Sequence, residues 1–204
     1  MEPSSLPPLF HTILLAAGAS RRMGRPKQLL PVGDSTLLRS AVTNALALGR
    51  PLVVIVGAKP DLVTDHLDGM SGFHVVENEN WESGMGSSIA AGVRWACLRP
   101  VRGFLILLAD QPLLDTAALQ RLANAFAGDP DRIVATAYPE GPGVPAIFPV
   151  CYGEVLTNLQ TVGGAKGLLR SAGEKLTLVD LGNTTVDVDT PEDYARFSGR
   201  KLKN

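Results

Sequence analysis

The chain has 204 residues, of which 45% are hydrophobic, and a formal net charge of −1. That length allows one well-buried core and favours a single domain over residues 1–204. The balanced charge argues against nucleic acid or an anionic membrane as partner, while a local cluster of Arg and Lys can still hold a small phosphorylated ligand. The two cysteines, Cys97 and Cys151, lie far apart without CxxC spacing. They suggest neither a disulfide framework nor a zinc site, but two small buried or half-buried hydrophobes in a reducing cytoplasm. No apolar run approaches the ~20 residues of a membrane span. Residues 1–8 lack the basic start and apolar run of a signal peptide, and with 199–204 they are expected to be flexible ends.

Short apolar runs alternate with helical patterns. Residues 12–16 predict a first strand, stopped at Ala17-Gly18. A helical stripe over 36–48 ends at Gly49, with Pro51 beyond. A strand over 52–56, a short helix over 60–67 and a strand over 73–76 follow. Residues 87–98 read as a helix. The run 104–109 is the best candidate for a central buried strand, and it ends on Asp110. A helix over 116–127 and a strand over 133–137 come next. Residues 140–145, Glu-Gly-Pro-Gly-Val-Pro, read as a loop. Short helices over 152–158 and 165–171, strands over 176–180 and 185–188, and a helix over 191–197 complete the chain. Thr190 is the expected cap of that last helix, with Pro191 at its first position. The alternation predicts an α/β domain with a mostly parallel sheet covered on both faces. In such sheets ligands sit beyond the carboxyl ends of the strands, so the residues just after each strand carry the most information.

After the first strand stand Gly18, Ser20, Arg21, Arg22, Gly24 and Lys27. Glycines let backbone amides approach a phosphate, and Arg and Lys supply charge for a triphosphate. The plain alternative is an ordinary solvated surface loop. The spacing is neither G-x-x-x-x-G-K-[ST] nor G-x-G-x-x-G, so neither a P-loop nor a dinucleotide fingerprint is supported. Gly84-Met-Gly-Ser-Ser-Ile89 only begins like that fingerprint. Asp110 at the end of an apolar strand costs free energy unless it is paired or metal-bound. It could cap the next helix, but Asp115 is better placed for that. As a Mg²⁺ ligand it would need only one further carboxylate plus phosphate oxygens. Asp187 and Asp189 share a strand-to-helix junction, and capping explains neither. Two apart on a strand, they would point the same way. Ser87 or Ser88 could be a simple helix cap. His11, His66 and His74 have no metal spacing and read as structural.

Leu15-Ala-Ala-Gly-Ala-Ser-Arg-Arg-Met-Gly-Arg-Pro-Lys27, followed after one residue by Leu-Leu-Pro31, resembles the signature of the MobA-like nucleotidyltransferases, within them most closely the molybdenum-cofactor cytidylyltransferase branch. The resemblance continues in order through Asn78-Glu-Asn-Trp81 with Gly84-Met85 and Ser87-Ser88, Leu107-Leu-Ala-Asp-Gln-Pro112, Gly143-Val-Pro-Ala-Ile-Phe148 and Asp187-Val-Asp-Thr-Pro-Glu-Asp193. Two departures stand out: Gly86 where the family often has Ser, and Thr161-Val-Gly-Gly-Ala-Lys166 where its pattern is close to Gly-Asp-x-Gly-Ala-Arg. The second touches the acceptor side of the cleft.

The resemblance implies a Rossmann-like, GT-A-like three-layer α/β/α fold and a cytoplasmic, Mg²⁺-dependent transferase, with Mn²⁺ as an alternative metal. It implies that Leu15, Ala16, Ala17, Gly18, Ser20, Arg22, Lys27, Asn78, Gly84, Met85, Ser87, Ser88 and Asp110 bind the nucleotide. Lys27, Arg22 and Asp110 would be catalytic. Asp110 would share the metal with Asp189 or Asp187, Asp189 being preferred. The reaction implied is transfer of CMP from CTP to molybdopterin with release of pyrophosphate, the product passing to a molybdoenzyme. Ala16-Ala17 favours CTP over GTP, because the guanylyl branch usually has Gly-Gly there. The alternatives are a transferase acting on a sugar or alditol phosphate, and a factor that binds molybdenum cofactor without turning it over.

Overall fold

The computed structural model describes residues 9–159, 164–184 and 186–201. Its core is one seven-stranded sheet. In chain order the elements are β1 (His11–Leu15), β2 (Pro31–Val32), β3 (Ser35–Thr36), α1 (Leu37–Leu46), β4 (Leu52–Val56), α2 (Pro60–Asp65) and β5 (His74–Glu77). They continue with α3 (Met85–Ala96), β6 (Gly103–Leu108), α4 (Thr116–Gly128), β7 (Ile133–Tyr138), β8 (Gly141–Pro149), α5 (Gly153–Thr157), α6 (Lys166–Ser171), β9 (Leu176–Val179) and α7 (Pro191–Lys201). The strand order is β5-β4-β1-β6-β8-β7-β9, with β2 and β3 forming a separate small hairpin. All pairings in the large sheet are parallel except those of β8, which runs antiparallel to both β6 and β7.

Strand alternation builds the two faces. Leu14, Val54, Leu105 and Leu107 point to one side, where they meet Val42 of α1, Val63 of α2 and Leu119, Leu122 and Phe126 of α4. Ile13, Ile55, Phe104 and Ile106 point to the other, against Ile89 and Val93 of α3, Leu156 of α5 and Leu169 of α6. The layers are therefore α/β/α. Each fully buried Leu, Ile or Phe contributes roughly 1.5–3 kcal/mol relative to exposure. The starts of α1, α4 and α7 follow the capping chemistry. The Thr36 side chain accepts from Arg39 N at 3.3 Å, and Asp115 accepts from Ala118 N at 2.8 Å. At α7, Thr190 and Asp193 cap each other reciprocally, as the expected cap at Thr190 requires.

A third cluster fixes the site. Leu30, Val32 and Leu37 pack with Val188 and Phe197, drawing the end of the chain onto the end of the first loop.

Four expectations are corrected. Residues 141–149 form the longest strand rather than a loop. Residues 186–188 form no strand, and Thr185 lies outside the described residues; instead the Val188 amide donates to the Asp110 carbonyl at 3.0 Å. Helix α7 runs on to Lys201, past the expected flexible start at 199, while residues 1–8 and 202–204 lie outside the described residues. Cys97 and Cys151 are both exposed, free thiols, the first at the C-terminal cap of α3 and the second in the turn after β8. Among the described residues no helix is long and apolar enough to cross a membrane.

Candidate active site

The first loop leaves β1 between two neighbours. Ala16 N donates to Ile55 O at 2.8 Å on the β4 side, and Ala109 N donates to Leu15 O at 3.2 Å on the β6 side. Ser20 then takes a left-handed conformation with φ 53. Its hydroxyl accepts from Lys27 N at 2.9 Å and donates to Gln28 Oε1 at 3.3 Å. The buried Gln28 amide in turn donates to Ala16 O at 3.2 Å. The loop is thus closed by Ser20 and Gln28, so the Ser20 hydroxyl braces the loop from within. Gln28 carries no sequence signal beyond being a polar residue beside an apolar run, and it was missed.

Lys27 is the centre of the charged cluster. Its ammonium pairs with Asp110 and, at 2.6 Å, with Asp189 Oδ1. Arg22 pairs with the other oxygen, Asp189 Oδ2, at 3.0 Å, and its side chain is 70% exposed. Burial alone would lower the Lys27 pKa, but Asp110 and then Asp189 outweigh it and hold the amine above its ordinary value. Burial alone would raise Asp189, but Lys27 and then Arg22 hold that carboxyl below the usual range. Asp187 behaves oppositely. Its burial, with the Asp110 charge adding to it, pushes the carboxyl up. Asp187 does not face Lys27 and Arg22 as Asp189 does; it accepts from the Gln111 amide at 2.9 Å. The expectation that both aspartates point alike fails because 186–189 is not a strand.

Beyond β5, the buried Asn78 side chain donates to Ser87 Oγ at 2.8 Å and Ser88 Oγ at 3.0 Å. This clasp seats the start of α3. Neither serine is the cap. That position belongs to Gly84, whose φ of 110 suits glycine alone. The N-terminal end of α3, with its partial positive charge, lines the same cavity as the first loop.

Two cavities open along this line. One of about 390 Å³ is lined by Leu15 to Arg21, Lys27, Gln28, Trp81, Glu82, Gly84, Met85, Ser88 and Leu108 to Asp110. The second, of about 310 Å³, is lined by Tyr138, Glu140 to Val144, Ala165, Lys166, Leu169 and Asp187, and it shares Met85 and Leu108 with the first. Ten of the expected nucleotide residues line the first cavity: Leu15, Ala16, Ala17, Gly18, Ser20, Lys27, Gly84, Met85, Ser88 and Asp110. Arg22, Asn78 and Ser87 do not. Arg22 sits at the rim on Asp189, and Asn78 and Ser87 hold the α3 terminus from behind. Of the segment 161–166 that departs from the family pattern, residues 161–163 lie outside the described residues, while Ala165 and Lys166 line the second cavity. The histidines stand away from both cavities. His11 and His74 pack around Trp95, and His66 bonds to Leu62 O at 2.9 Å.

Comparison with known proteins identifies the family. The model of the MobA-like NTP transferase domain matches residues 12–176. Nicotine blue oxidoreductase of Paenarthrobacter nicotinovorans is 33% identical over 202 residues, 93% of this chain and 97% of that protein. The purine catabolism protein PucB of Bacillus subtilis is 30% identical, over 92% and 95%. Two relatives are named as molybdenum cofactor nucleotidyltransferases. The cytidylyltransferase of Escherichia coli is 28% identical over 40% of this chain and 42% of that protein, and the guanylyltransferase of Rhodobacter capsulatus is 28% identical over 94% and 96%. Among solved structures, the manganese complex of Rv0371c from Mycobacterium tuberculosis superposes with a TM-score of 0.71 at 30% identity, over 94% of this chain and 98% of that one. A nucleotidyl transferase from Methanothermobacter thermautotroptrophicus shares the fold with a TM-score of 0.81 at 23% identity, over 96% and 98%. With the family model spanning most of the sheet, the whole lining of the first cavity and that of the second up to Leu169, the chain belongs to the MobA-like NTP transferase family and is a nucleotidyltransferase enzyme.

Proposed function

We propose that the enzyme transfers CMP from CTP to a molybdopterin-type acceptor and releases pyrophosphate. The observation that carries this reading is the pairing of two adjoining cavities at one charged junction: a nucleotide-sized cavity ending on Lys27 and Asp110, and a smaller one ending on Asp187 and Lys166. A transferase needs a donor and an acceptor held side by side with reacting atoms within near-attack distance. The small side chains Ala16 and Ala17 in the floor of the donor cavity support a pyrimidine base, and the cytidylyltransferase relative supports the same choice.

Asp110 and Asp187 are the residues that would hold a divalent metal, Mg²⁺ or Mn²⁺. Among the described residues Asp110 Oδ1 is buried with no hydrogen-bond partner, an orphan carboxylate oxygen whose burial is costly unless a cation meets it. Asp187 fits better than Asp189, because both Asp189 oxygens already carry Lys27 and Arg22. A bound metal would supply charge neutralisation on phosphate oxygens there. The chain's own residues do the rest. Lys27 and Arg22 hold the β- and γ-phosphates, with Asp189 keeping both cations in place. The first-loop backbone around Gly18 and the α3 terminus receive the phosphates and sugar. A phosphate oxygen of the acceptor forms the new bond to the α-phosphorus, the α–β bridging bond breaks in line, and pyrophosphate carries its electron pair away.

The product would serve a molybdoenzyme. Release of pyrophosphate from CTP, Mg²⁺ and molybdopterin by the purified chain tests the reading. Parallel reactions with GTP, and with sugar or alditol phosphates as acceptors, separate it from its in-class rivals. Release with none of these, alongside tight binding of molybdopterin, would identify a binding factor instead.

A further inference from the structure

We propose that Gln111 is a positioning residue that aims Asp187 at the donor–acceptor junction and ties it to the wall of the acceptor cavity. The inference rests on the nucleotidyl-transfer reading given above. Gln111 is only 5% exposed and directly follows Asp110. Its amide nitrogen lies 2.9 Å from Asp187 Oδ1, 3.0 Å from the Tyr138 hydroxyl and 3.4 Å from Val144 O. The Tyr138 hydroxyl donates its own proton to Val144 O at 2.5 Å. That hydroxyl can therefore only accept from Gln111, and an ionised Asp187 can only accept. Both neighbours demand the NH₂ end of the amide, which fixes its orientation. A flipped amide would set its oxygen against a carboxylate and a hydroxyl with no hydrogen left to give. The carbonyl oxygen Oε1 is left buried without a partner among the described residues, a cost that the arrangement accepts in order to aim both N–H groups.

The backbone supports the same geometry. The ladder between β7 and β8 steps from Ala135↔Ala146 to Thr136↔Gly143, so Val144 and Pro145 form a bulge facing Gln111. A side chain at Gly143 would put its Cβ 2.7 Å from the Tyr138 ring, so this glycine lets the ring lie across β8 and reach the amide. One residue thus joins three things: the Asp110 strand end, the Asp187 carboxylate and the Tyr138–Val144 wall. Outer-shell partners of this kind typically change metal affinity about 10–100-fold.

Mn²⁺ binding to the full chain, read by the electron paramagnetic resonance of the free ion with a saturating non-hydrolysable CTP analogue, tests this. Gln111→Met keeps the volume and removes both donors, and is expected to weaken Mn²⁺ about 10–100-fold. In the Asp187→Asn background the same change is expected to add little, because the positioned carboxylate is already gone. Tyr138→Phe, which removes one anchor of the amide and less of the fold, is expected to weaken Mn²⁺ by a few-fold. Wild-type affinity in both Gln111→Met and Tyr138→Phe, or a full additive loss on top of Asp187→Asn, would overturn the role of Gln111. Absence of Mn²⁺ binding by the wild-type chain itself would instead remove the metal-dependent reading, and this inference with it.

Discussion

The two cavities of this enzyme differ in how much of their lining is local. In the cavity proposed for the donor, the first loop is a closed circuit of local bonds. Ser20, Lys27 and Gln28 tie residues 16–28 to one another, and β4 and β6 clamp the loop from both sides. The acceptor side is assembled from distant pieces: the β7–β8 bulge, the start of α6 and the segment carrying Asp187, joined across 76 positions of sequence by Gln111. A locally built site keeps its chemistry while the rest of the chain varies. A site assembled across the sheet can change its acceptor with a few substitutions.

Substitutions on the two sides should therefore fail differently. The largest effect is expected for Asp110→Ala, which removes the orphan carboxylate at the junction. Turnover should fall on the order of 10²–10³-fold or more, with part of the nucleotide affinity retained; full turnover would remove Asp110 from the chemistry. Lys27→Ala should weaken CTP binding on the order of 10–100-fold in calorimetry, the size of one or two charge-assisted bonds, and barely alter acceptor binding. Lys166→Ala should do the reverse, raising the KM for the acceptor by about 10-fold with the KM for CTP unchanged. An equal rise in both constants would show that the cavities are not separate subsites. Ala17→Gly widens the donor floor and should improve GTP relative to CTP by roughly 10-fold at most.

The smallest effect concerns stability. Asp189 is partly exposed, so its pairs with Lys27 and Arg22 should contribute no more than about 1 kcal/mol. Its carboxyl is held below the ordinary value of 3.8, so this contribution is fully present above pH 3.8 and is lost as pH falls through the lower folded value. The Tm gap between wild type and Asp189→Asn should therefore be constant near neutrality and close in acid. A gap that grows in acid would contradict the pairing.

The same division governs how much could be read from the sequence. The donor loop, the α/β alternation and the strand 52–56 were legible, because local periodicity and glycine placement determine them. Asp110 stood out as a charge ending an apolar run. Strand β8 was not legible. Gly141-Pro-Gly-Val-Pro145 has the composition of a loop, and proline cannot donate to a ladder; only its place between β6 and β7, with a bulge at Val144 and Pro145, makes it a strand. The roles of Asp187 and Asp189 were hidden for a related reason. Their directions depend on the Val188 amide bonding to Asp110 O and on Val188 burying against Leu30 and Phe197, contacts that cross the whole fold. Gln28 and Gln111 were missed because a buried glutamine looks like any surface one until its neighbours are known.

The most direct test of transfer is to follow the α-phosphorus itself. With CTP labelled at that atom, Mg²⁺ and molybdopterin, the wild-type chain is expected to move the label into a cytosine dinucleotide of the acceptor while unlabelled pyrophosphate accumulates. Label that stays in CTP, or that appears only as free CMP, would contradict nucleotidyl transfer to this acceptor.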